Sequence, residues 1–267
     1  METPPVFVIA LLTGAFCFAL GAAGPLVLRR HFAFENLHCN NEVAGAKFGA
    51  LAAFYSVLLA FVVVVVWNGY TAADSTCQQE AVNCQNLFRL SKGLEVPLEM
   101  HVQIEDAIRS YMEMVINDEW PKMAKGEASH AASMQFQKLS DLIVTVYKQP
   151  GMKENPGALN IQAQMLSVYT QLSMDRNLRL LSSATEVPFI LWTVLIVGAL
   201  SALTFGCFFG SVNVYAQATM NAIVATILGL ILLAIFLLDK NFDGKMGIQP
   251  HAFESILKIM EKHRTES

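Results

Sequence analysis

Apolar residues in this chain gather into four blocks, and most of the polar ones lie between the second block and the third. Residues 5–28, 45–67, 189–209 and 219–238 are predominantly apolar over about 20 residues each, enough at about 1.5 Å per residue to cross a hydrocarbon core of about 30 Å as helices. The second block carries a single charge, Lys47, at its start, and the polar stretch that follows Trp67 reaches Arg89 without a proline. This pattern predicts a helix that crosses a bilayer and continues beyond it as a polar stalk. The first block has no basic residues ahead of it and exceeds the apolar length of a signal peptide, so it reads as a retained helix.

The region after the stalk alternates at helical spacing. Pro97 suits a first helical turn, and Ile104, Ile108, Met112 and Val115 then mark one apolar face. The run Asp118, Glu119, Trp120, Pro121 is expected to break that helix, because proline removes a donor and disfavours helical geometry in the residue before it. Phe136, Leu139, Ile143 and Val146 form the stripe of a further helix. Asn155 and Pro156 make a cap and first-position pair for a last one, carried by Leu159, Leu166, Tyr169, Leu172 and Leu180 towards Pro188. The expectation is an all-α integral membrane protein: four transmembrane helices with a helical soluble insert between the second and third. Residues 1–67 would hold helices one and two, 68–188 the insert, 189–239 helices three and four, and 240–267 a polar C-terminal tail.

Composition agrees with a membrane protein, at 54% hydrophobic and 15% charged residues. The net charge of −4, with no basic run longer than Arg29-Arg30, excludes the electrostatic footprint of a nucleic-acid binder. Basic residues near the predicted membrane ends divide into Arg29, Arg30 and Lys47 on one side and Arg89, Arg176, Arg179, Lys240, Lys245 and Lys258 on the other. By the positive-inside rule this favours a cell inner membrane location with the insert and both termini cytoplasmic, although the Arg29-Arg30 pair argues the opposite way. Of the five cysteines, Cys17 and Cys207 fall in apolar blocks, Cys39 in a loop, and Cys77 and Cys84 seven residues apart on the stalk. That separation is about 10.5 Å along a helix, beyond the reach of about 7 Å between disulfide-bonded Cα atoms, so these read as free thiols.

Small residues recur every three or four positions in three of the blocks: Ala10, Gly14, Cys17, Gly21 and Gly24; Gly198, Ala202, Gly206 and Gly210; Ala218, Ala222, Ala225 and Gly229. Such stripes let helix backbones approach closely, within or between subunits. No ionisable residue sits at mid-membrane, so a proton relay has no candidate. On the second helix Ala53, Val57 and Phe61 recur every four residues; they suit an apolar constriction around an axis or an ordinary buried face. Asn213, Gln217 and Asn221, also four apart, suit hydrogen bonds between helices or a vestibule entrance. The tail begins Asp239-Lys240-Asn241-Phe242-Asp243-Gly244 like a calcium loop, but its twelfth position is Pro250 and not a glutamate, and a capping turn is expected instead. The six histidines show no metal-ligand spacing and no cofactor motif is present.

Several spaced motifs resemble the bestrophin-like membrane proteins of bacteria and plants: Asn41-Glu42-Val43-Ala44-Gly45, the run from Tyr55 to Phe61, Trp67, Arg89, Glu119-Trp120-Pro121, Pro188 with Trp192, Phe209-Gly210 with Asn213 and Gln217, and the tail from Phe242 to Pro250. The resemblance covers essentially the whole chain. It implies a distant similarity to bestrophins, pentameric anion channels with four membrane helices per subunit, both termini in the cytosol and an apolar neck on the second helix. Carried over, it places Phe61 at one neck position, Val57 and Ala53 one and two turns before it, and Arg89 or Lys92 at a cytosolic vestibule. The sequence departs from that pattern in its longer polar helix, in alanine at position 53, and in having only Asp239 and Asp243 where animal bestrophins carry an acidic calcium clasp. The first expectation is thus a homo-oligomeric, pentameric channel embedded in membrane lipid and passing inorganic ions, anions by resemblance. The alternative is a non-conducting scaffold or sensor whose insert binds a protein partner; an enzyme has little support.

Overall fold

The computed structural model describes residues 6–31, 41–243 and 247–266, and every regular element among them is helical. His38, Cys39, Gly244 and Lys245 lie outside the described residues. The chain divides into two compact units, residues 1–68 with 186–239, and residues 69–185 with 240–267. One helix, α2 (Asn41–Lys92), is continuous from the first into the second. Without proline, and with polar residues replacing valines after Trp67, nothing in its sequence interrupts the hydrogen-bond ladder.

The first unit holds α1 (Val6–His31), the opening of α2, α7 (Phe189–Cys207) and α8 (Val214–Asp239). All four helices are long and apolar enough to cross a membrane. The small-residue stripes are used inside the chain. A Cβ on Gly21 would lie 2.6 Å from Ala225 Cβ and 2.8 Å from Ala222 Cα, and Gly229 and Gly24 face the sulfurs of Cys17 and Cys207. Gly198 faces the ring of Tyr55, whose hydroxyl donates to the Leu195 carbonyl at 2.6 Å. Lipid gives helices no hydrophobic reason to associate, so close backbone approach of this kind, with a few polar ties, has to hold them. Tyr55, Leu59, Val62 and Val66 of α2 are buried with Leu195, Ala199 and Ile235. Asp239, at the end of α8, accepts the Val187 N–H at 2.7 Å and the Trp192 indole N–H at 3.3 Å.

The second unit is a helical bundle: the stalk of α2, α3 (Leu98–Met114), the short α4 (Trp120–Met123), α5 (His130–Thr145), α6 (Pro156–Ala184) and α9 (His251–Glu266). Ser129 caps α5 by accepting the Ala132 N–H at 3.0 Å, and Asn155 caps α6 by accepting that of Ala158 at 3.1 Å. The stripes of α3 and α5 are buried as expected, from Ile104 to Val115 and from Phe136 to Val146.

Three expectations are corrected. The Asp118–Pro121 run does not break its helix. The backbone passes from α3 through a π-helical turn, Val115–Glu119, in which the Trp120 N–H reaches back to the Val115 carbonyl, and on into α4. The widened turn absorbs the donor that Pro121 lacks and turns Glu119 and Trp120 into the core together, both buried. Second, α6 buries only part of the stripe assigned to it: Leu172 is buried and Tyr169 and Leu180 pack against the core, but Leu159 and Leu166 are exposed, and Gln162, Asp175, Arg176 and Arg179 are buried. Third, the tail is more than a turn. Phe253, Ile256 and Met260 of α9 are buried in the same core as Cys77, Leu87 and Phe88 of the stalk.

Candidate pore-lining helix and buried charge network

The two sides of α2 differ along its length. Leu59, Val66, Ala73, Glu80 and Leu87 are all buried, each seven residues after the last, and Phe54, Phe61, Asn68, Ser75, Val82 and Arg89, also at sevens, are all exposed. A straight helix drifts about 20° per seven residues. A face held in place over five such repeats therefore follows the 3.5-residue period of left-handed supercoils. Val57 and Phe61 are 56% and 68% exposed, and Ala53 is exposed too. Among the described residues the chain's own helices therefore do not cover them, and a buried face within the subunit is not their role. Lower on the same helix Arg89 and Lys92 are exposed, with the Lys92 ammonium 4.5 Å from the centre of the Phe88 ring.

Asn213, Gln217 and Asn221 serve three different ends. Asn213 is exposed and caps α8, its Oδ1 accepting the Tyr215 and Ala216 N–H groups at 3.0 and 3.2 Å. Gln217 ties the turn after α7 through the carbonyls of Gly206, Cys207 and Phe209. Asn221 is buried and donates to the Gly21 carbonyl at 3.0 Å, joining α8 to α1. These are the ties between elements that polar side chains supply in an apolar unit.

Sequence reasoning passed over the most heavily charged feature of the second unit. Arg179 of α6, fully buried, donates to Glu80 of the stalk from Nε at 2.6 Å and Nη2 at 3.0 Å, and to Glu119 at 2.7 Å. Glu119 also accepts from Arg176 at 2.5 Å and from the Ser129 N–H at 3.2 Å. Tyr111 donates its hydroxyl to Glu80 at 2.5 Å, and Asn83 donates to Asp175 at 2.7 Å. The Arg179 guanidinium lies 5.5 Å from the centre of the Trp120 ring, and the Trp120 indole donates to the Ile248 carbonyl at 3.0 Å. Stalk, π turn, α6 and tail thus meet on one group of charges.

Burial opposes ionisation of Glu119, but the Arg179 and Arg176 guanidiniums outweigh it and hold the carboxyl below its usual range. Burial, with the nearby Glu80 charge, pushes the Tyr111 phenol well up, and burial takes the Cys77 thiol to about 12. The signal for this network lay in α6, where Asp175, Arg176 and Arg179 are the only charges in 29 residues and cluster within five positions. Among the described residues no three His, Cys, Asp or Glu side chains converge as a metal site.

The family model described as the bestrophin-like domain matches residues 14–253. Two structures described as a bacterial bestrophin homologue from Klebsiella pneumoniae, each with a single substitution to threonine, superpose with TM-scores of 0.73 and 0.70 at 12% identity, covering 93% of this chain and 98% and 99% of theirs. A membrane protein solved with a proline-to-alanine substitution gives 0.71 at 12% identity, covering 93% of this chain and 97% of its own. No curated protein matches by sequence.

Proposed function

The chain belongs to the bestrophin-like family, and on that premise we propose that it forms an oligomeric ion channel whose pore is lined by α2. The observation that carries this reading is the exposed face of α2, which keeps its place at every seventh residue from Phe54 to Arg89. In a ring of copies, five by analogy with bestrophins, those faces would surround a common axis. The four apolar helices would span the cell membrane, with the bundle and both termini in the cytoplasm.

Flow through such a pore is passive. Ala53, Val57 and Phe61 would form its apolar neck, which conducts when its rings widen and wet and closes when they dewet. Beyond the neck the exposed face turns polar and ends at Arg89 and Lys92, whose charges raise the local concentration of anions. Anion preference is therefore part of the proposal.

Purified protein in planar bilayers tests it. Phe61→Ala should raise the current over the unsubstituted channel, and Arg89→Glu should move the reversal potential in a chloride gradient towards cation preference. Absence of current from both the unsubstituted protein and Phe61→Ala would sink the reading. Together with a monomeric or dimeric particle in detergent, it would favour a non-conducting scaffold.

A further inference from the structure

The second unit also holds a cavity of about 610 Å³, bounded by the stalk of α2, Trp120 and the start of α9. Small-molecule sites occupy roughly 300–1,000 Å³, so its size suits a small ligand. Its stalk wall follows from helical spacing: Tyr70, Asp74 and Cys77, four and three residues apart, stand on one side of the helix. The other walls bring in Trp120 and Phe253, both buried, with ring centres 5.8 Å apart and edge to face. The Trp120 indole N–H already donates to the Ile248 carbonyl at 3.0 Å, so the ring meets the cavity as apolar surface.

The charge in this cavity has one sign. Asp74 is its one carboxylate, and no lysine or arginine lines it among the described residues. The half-buried Asp74 accepts from the Gln78 amide at 2.9 Å, but among the described residues it forms no ion pair. Elsewhere in the unit Glu80 and Glu119 each have an arginine and Asp118 has Lys122. Burial and the Asp74 charge both raise the Tyr70 phenol, so it adds no second negative charge at neutral pH. An inorganic cation would find poor ligands here. Burial takes the Cys77 thiol to about 12, so it stays neutral, and no three metal-binding side chains converge among the described residues. Aromatic walls beside a carboxylate without a cation suit a different guest, since rings attract a cation over their faces and also accept hydrocarbon. We propose that this cavity binds a small organic ammonium, its charge paired with Asp74 and its apolar part against Tyr70, Trp120 and Phe253. Every residue of the site comes from one chain, and the inference does not rest on the channel reading.

Titration calorimetry of the full-length protein in detergent at neutral pH tests the site, with heats from protein-free micelles subtracted. The probe is phenethylammonium, and 2-phenylethanol, of similar shape without the charge, is the control. The expected result is saturable binding of the probe, with the alcohol at least about tenfold weaker. Asp74→Asn keeps the shape of the side chain and should weaken the probe by the same factor. Gln78→Lys, on an exposed residue one turn from Asp74, gives the carboxylate a cation of the chain's own in a spacing that favours the helix, and should do likewise. Helix content and the midpoint without ligand should hold in both variants. Asp141→Asn, on an exposed residue of α5 outside the cavity, should leave binding unchanged. Absence of saturable binding, equal binding of the alcohol, or a probe affinity unmoved by both Asp74→Asn and Gln78→Lys overturns the proposal. So does binding of calcium chloride that depends on Asp74 with none of the probe.

Discussion

Arg179→Met removes the cation on which the second unit converges, with little change in volume. Glu80 and Glu119 are both fully buried and both bind this guanidinium. After the substitution Glu119 keeps Arg176 and the Ser129 N–H, but Glu80 keeps only the Tyr111 hydroxyl. Removing one partner of a buried ion pair costs about 3–5 kcal/mol, because the remaining charge is left uncompensated. In a unit of this size that corresponds to a fall of about 10 °C in midpoint. The assay is thermal unfolding in detergent followed by tryptophan fluorescence, since Trp120 sits against Phe242 and Phe253 in this core. Glu80→Gln added to Arg179→Met removes the uncompensated charge and should recover part of the loss. A midpoint within about 2 °C of the original, or no recovery on adding Glu80→Gln, would refute the reasoning.

Other consequences follow from burial and close approach. Glu119 has its folded pKa below the value of 4.5 that an unperturbed carboxyl has, so its contribution is complete above about pH 4.5 and is lost as the pH falls through the folded value; acid titration of stability should show that loss, and Glu119→Gln should flatten it. Gly21→Ala drives a methyl into Ala225 and the α8 backbone and should cost about 1–3 kcal/mol, read as a lower midpoint in detergent. Gly49→Ala, with nothing within 4 Å, should by contrast stabilise the helix by up to about 1 kcal/mol. Cys77 and Cys84 are buried, and burial raises both thiols, so a maleimide at pH 7.5 should leave them unlabelled in the native protein and modify them after denaturation.

What could be read from the chain divides according to how many bodies each feature involves. Long apolar blocks, a proline-free transition after Trp67 and the Asn155-Pro156 cap are properties of one segment, and each appears where its residues predict. The sidedness of α6 is a property of several. Leu159 and Leu166 share a stripe, and periodicity reports only that; it does not say which medium the stripe meets. Arg179 faces inward because Glu80, 99 residues earlier, and Glu119, 60 residues earlier, offer it two buried carboxylates. Glu119 is there only because a π turn rotates it inward, and Pro121, read as a helix breaker, is what that turn accommodates. The same exchange explains the outward side of α2. Ala53, Val57 and Phe61 looked equally like a core stripe until Tyr55, Leu59, Val62 and Val66 filled the side of α2 that packs against α7 and α8. One helix side can satisfy one set of neighbours, so burial of Tyr55, Leu59, Val62 and Val66 leaves Ala53, Val57 and Phe61 outward.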